Sequence, residues 1–64
     1  MLKVLKLEKG QIVNIFEDPM TQTCLEGKAK LVRLIEVEDE DMEYWDVEFA
    51  DEPGRTYARR IRVT

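Results

Sequence analysis

The chain has 64 residues, 44% hydrophobic and 38% charged, with a formal net charge of -4 and no histidine. That length supports one domain over residues 1–64, because a core split in two would leave neither half enough buried surface to offset its chain entropy. A lone cysteine, Cys24, excludes an intramolecular disulfide; the missing histidines exclude the usual zinc sets; and the acidic balance disfavours tight nonspecific binding to nucleic acid.

Taken in chain order, the sequence alternates with period two between turn signals, the pattern of strands rather than helices. "VLKLEKG" puts Leu5 and Leu7 on one face, an opening segment that closes on a Lys9-Gly10 turn. Lysines interrupt the apolar residues of this N-terminus, so neither a secretory leader nor a membrane span is expected. "QIVNIF" predicts the first full strand, with Val13 and Ile15 on one face and Ile12, Asn14 and Phe16 on the other. "EDPMTQTCLEG", bounded by Asp18-Pro19 and Gly27, lacks clean alternation and reads as a long excursion, in which Thr21 and Thr23 could form a small irregular hairpin.

"KAKLVRLIEV" is a longer strand whose inward parity slips from Ala29 and Leu31 to Val32 and Leu34, as a bulge or strong bend would produce. The acid run Glu36, Glu38, Asp39, Glu40, Asp41, Glu43 then forms a hairpin tip ahead of "EYWDVEF", a strict alternation with Trp45, Val47 and Phe49 inward. "ADEPGR" supplies a Pro53-Gly54 turn, "RTY" a short strand, "ARR" a single 3₁₀ turn, and "IRV" a closing strand with Ile61 and Val63 inward. The expected fold is all-β, a small five-stranded barrel with one 3₁₀ turn before its last strand.

Several residues carry a resemblance to the SH3-like small barrels. These are Lys9-Gly10 with Val13 and Ile15, Glu26-Gly27 with Ala29 and Leu31, Trp45, Val47 and Phe49 with Asp51, and Arg60-Ile61 with Val63. The likeness spans roughly residues 5–63. The Ala-Leu-Tyr-Asp-Tyr signature of peptide-binding SH3 domains is absent, and with it the tyrosines of a proline groove. "KGQIVNIF" and "EGKAKLV" resemble KOW-type modules, which are usually basic, whereas this chain is acidic. Inward placement of Trp45 and Phe49 leaves too few aromatics for a Tudor-type cation cage. In flavour the chain is similar to short SH3-like proteins encoded by phages and other mobile elements.

The acid run could bind calcium, but it lacks the spacing and central glycine of an EF-hand loop, and no metal or cofactor is expected. It could equally be a solvated tip that blunts edge pairing, or a docking surface for a basic partner. Arg55, Arg59, Arg60 and Arg62, with Tyr57 to stack on a base, form an alternative nucleic-acid surface, unless they pair with carboxylates of the same chain. Catalysis lacks raw material: there is no histidine relay, Cys24 has no activating partner, and Asp18, Asp46 and Glu48 have little concave surface to desolvate them. The reading that follows is a noncatalytic cytoplasmic module, a monomer or weak homo-oligomer without membrane contact, that binds a basic or mixed-charge protein. Its partner surface is expected where the excursion (Asp18, Pro19, Met20, Thr21) meets the acidic hairpin (Glu40, Asp41, Glu43, Tyr44).

Overall fold

The computed structural model describes residues 5–63 and is all-β: β1 (Ile12–Asp18), β2 (Thr23–Val37), β3 (Met42–Phe49) and β4 (Tyr57–Arg62). Every neighbouring pair is antiparallel, giving one sheet in the order β1-β2-β3-β4. The sheet curls around a core of Ile15, Ala29, Leu31, Trp45, Val47, Phe49 and Ile61, against which Leu7, Val13, Leu34 and Tyr57 pack.

β3 sets this arrangement, because its alternation is the cleanest in the chain. Trp45, Val47 and Phe49 are buried, while Tyr44, Asp46 and Glu48 are half-buried on the opposite face. β2, at 15 residues, serves two neighbours, its first half pairing with β1 and its second with β3. It can do so because it is bulged. Register shifts fall between Leu31 and Arg33 and between Leu34 and Glu36, where the parity slip lies in the sequence. A further shift sets Ile15 opposite Gly27 and Phe16 opposite Leu25, leaving Glu26 as the extra residue. Gly27 takes a φ of 152° there, a conformation that an L side chain adopts only with strain.

The opening segment "VLKLEKG" forms no strand over its described residues; Val4 lies outside them. The reason is where its backbone donors go: Lys6 N and Leu7 N donate to the Glu43 carboxylate at 2.6 and 3.3 Å, and no strand neighbour receives them. Only at its end does the segment join β2, through Gly10 N to Leu31 O and Leu31 N to Gln11 O. The expected barrel of five strands is corrected: the described residues form four strands in an unclosed sheet. "ARR" is not a 3₁₀ turn, since Ala58, Arg59 and Arg60 pair with Asp46, Trp45 and Tyr44, and the two short predicted strands merge into β4. The excursion shrinks to a turn over residues 19–22, because the bulge at Glu26 lets β2 start at Thr23, opposite Asp18.

Candidate interaction surface

The excursion turn is built by its own side chains. Asp18 Oδ1 accepts from Met20 N at 3.2 Å and Thr21 N at 3.3 Å, and the Thr21 and Thr23 hydroxyls lie 2.9 Å apart. Gln22 closes the turn with a φ of 56°. Met20 remains exposed. The hairpin tip is built the same way, with Asp39 Oδ1 accepting from Asp41 N at 2.8 Å.

Arg62 joins these two loops. Its Nη1 donates to Met20 O at 2.6 Å, its backbone pairs with Met42 at the start of β3, and next to it Val63 N donates to Asp41 O at 2.8 Å. Beside β4 lies a depression of about 340 Å³ with Phe16, Glu17, Pro19, Tyr44, Arg59 and Arg60 in its lining. Pro19 and Tyr44 thus meet in one concavity. Glu40 and Asp41 stand outside that lining, at the tip, where Glu40 O accepts from Lys6 Nζ at 2.7 Å.

Glu43 is not on the surface. Its residue is fully buried (0% exposed), and its carboxylate accepts from Lys6 N, Leu7 N and, at 3.0 Å, Trp45 Nε1. It shares the inward parity of Trp45, Val47 and Phe49, a signal present in the sequence but masked by its charge. A buried carboxylate survives where hydrogen bonds replace its hydration, and Glu43 acts as the clasp that holds the N-terminal segment to β3.

The C-terminal arginines each meet a group of this chain. Arg59 is bidentate on Glu26, with Nε to Oε1 at 2.9 Å and Nη2 to Oε2 at 3.1 Å, and it lies 5.4 Å from the Tyr57 ring centroid. Its bond to Glu26 raises its pKa further. Arg60 donates to Glu38 Oε1 at 2.8 Å and sits 4.7 Å from the Tyr44 ring centroid. Arg55 has its pKa raised by its hydrogen bond to Tyr57, which itself donates to Glu52. Glu26 was not foreseen as a partner; the glycine after it was the only hint of the bulge that turns it toward β4.

The outer face of the sheet is laced across strands: Lys30 lies 3.6 Å from Glu48, and Arg33 lies 2.6 Å from Asp46. No protein-family model matches the chain, nor does any curated protein or solved structure. Among the described residues, no three acidic or cysteine side chains group as a metal-holding cluster, and no helix is long and apolar enough to cross a membrane.

Proposed function

We propose that this chain is a noncatalytic, cytoplasmic protein-interaction module of SH3-like type that docks a basic or mixed-charge protein. The surface runs from the excursion (Asp18, Pro19, Met20, Thr21) across Tyr44 to Glu40 and Asp41 at the hairpin tip. The meander order and the bent β2 support the SH3-like reading.

One observation carries the docking reading. Arg59 and Arg60 are held by carboxylates and Arg62 by a carbonyl of the same chain, while Glu36, Asp39 and Glu40 stand exposed around the hairpin. The field presented at that end is therefore acidic, which favours cationic partners and speeds their encounter.

The test titrates an oligolysine peptide and a poly-uridylate RNA against the wild type and a Glu36→Gln, Asp39→Asn, Glu40→Gln variant. Docking through the acidic end predicts slower association with oligolysine and a flatter salt dependence, with stability changed by less than about 0.5 kcal/mol. The nucleic-acid alternative predicts the reverse: the variant binds RNA more tightly, and Arg59→Ala with Arg60→Ala lowers the RNA salt slope by about one to two. That second pattern would replace the present reading.

A further inference from the structure

β1 and β4 are the two ends of the strand order, and they meet only sparsely. At their seam lies a slot of about 680 Å³ whose floor includes Leu7, Val13 and Ile61, with Ile12, Phe16 and Lys28 at its rim. Clefts of roughly 300–1,000 Å³ are the size range in which proteins hold ligands.

The two edges differ in chemistry. β4 reads "YARRIR" and carries Arg59, Arg60 and Arg62, the kind of charge that blunts an edge against further pairing. β1 begins "IVNIF", with no charge, proline or glycine over its first five residues. Its Ile12 is 60% exposed, the most exposed large hydrophobic side chain among the described residues. An unguarded apolar edge strand is a template for another strand, because its outward N–H and C=O groups offer a ladder and its side chains offer pockets.

The surroundings of Ile12 define what that strand must look like. In the β1–β2 register Ile12 is opposite Lys30 and Asn14 opposite Lys28, so both lysines share the outer face with Ile12. Lys9 and Lys30 also line a neighbouring depression, and all three lysines are exposed. A strand laid along β1 sends alternate side chains to opposite faces. Those turned inward meet the apolar floor at Leu7, Val13 and Ile61; those turned outward meet the lysines.

We infer that the free edge of β1 is a second docking site, which takes an extended peptide segment alternating apolar and acidic residues and adds it to the sheet as a strand. This site is separate from the acidic hairpin, and its preference is of opposite sign. Together the two make the molecule a receiver of mixed-charge partners.

The experiment titrates the full chain with an acetylated and amidated peptide as long as β1 that alternates valine and glutamate, and with its valine-lysine counterpart. Backbone amide shifts and hydrogen exchange are followed by NMR. The valine-glutamate peptide should protect amides within Ile12–Asp18. Its affinity should fall about tenfold or more in a Lys28→Glu, Lys30→Gln variant, and its binding should be lost when alternate peptide nitrogens are methylated. Because both lysines are exposed, the variant keeps its fold, and a urea midpoint checks this. Equal binding of the lysine peptide, protection confined to residues 38–41, or absence of protection overturns the proposal. So does a concentration-dependent dimer that Ile12→Asp dissolves, which would assign the edge to a second copy of this chain.

Discussion

Trp45 donates its indole N–H to Glu43 Oε1 at 3.0 Å, two residues back on the same strand and the same face, and both side chains are buried. The same carboxylate receives Lys6 N and Leu7 N, so one acid satisfies three donors that the fold would otherwise strand. Glu43→Gln keeps the shape but leaves one carbonyl oxygen and sets an amide N–H₂ against a donor. Hydrogen bonds to charged groups contribute about 1.5–3 kcal/mol each, so the variant should lose about 2 kcal/mol or more in urea denaturation. In a cycle with Trp45→Phe, the double variant should lose less than the sum of the two single losses, since both changes act on the Trp45–Glu43 hydrogen bond. Wild-type stability in Glu43→Gln would refute the clasp.

Trp45 is the largest fully buried side chain, and its removal tests the core as a whole. Truncating a buried tryptophan to alanine costs about 3–5 kcal/mol. A domain of this length has roughly 3–10 kcal/mol in all. Trp45→Ala should therefore be largely unfolded at 25 °C by circular dichroism, whereas Trp45→Phe should remain folded.

The strands were legible wherever the side chains alone decided the face. The alternation of Trp45, Val47 and Phe49 and the parity slip after Leu31 predicted β3 and the bend of β2, because burial of apolar surface enforces a period of two. What stayed hidden depended on distant backbone partners. Whether Lys6 and Leu7 form a strand is settled by the Glu43 carboxylate, 37 and 36 residues away. Ala58 to Arg60 are extended because β3 offers them a ladder, which no local propensity announces. Of the residues expected on the partner surface, Pro19 and Tyr44 line the depression beside β4 and Met20 is tied to Arg62 through its carbonyl, whereas Glu43 is buried: its charge suggests exposure, but its hydrogen bonds to Lys6, Leu7 and Trp45 hold it inside.

Cys24 is free and exposed, and it sits within β2 with a φ of 60°. The left-handed conformation costs an L residue roughly 1–2 kcal/mol, and more when the side chain is branched at Cβ. Cys24→Ser should stay within about 0.5 kcal/mol of wild type, since the side chain is exposed. Cys24→Gly should be neutral to about 1 kcal/mol more stable, as relief of strain exceeds the added freedom of the unfolded chain. Cys24→Val should be the least stable of the three. Urea midpoints in that order would establish that backbone strain, not the thiol, governs stability at this position; a large loss in Cys24→Ser would assign the thiol a packing role instead.

Glu48 links the sheet to the turn before β4, accepting from Gly54 N at 2.8 Å. This backbone hydrogen bond is the main reason its carboxyl is held below the ordinary glutamate range; burial opposes the shift, and Lys30 adds to it. Because the folded value is depressed, the folded chain binds this proton less readily than the unfolded chain does. The stabilisation is therefore complete above the ordinary glutamate pKa of about 4.3 and fades as pH falls through the lower folded value. Comparing urea midpoints at pH 7 and pH 3, Glu48→Gln should lose less stability on acidification than wild type does. Lys30→Gln should keep most of the wild-type dependence, because the Gly54 amide remains. If Glu48→Gln and wild type lose stability in parallel, the Gly54 bond is not what tunes this carboxylate, and the turn at Pro53-Gly54 is held by its backbone alone.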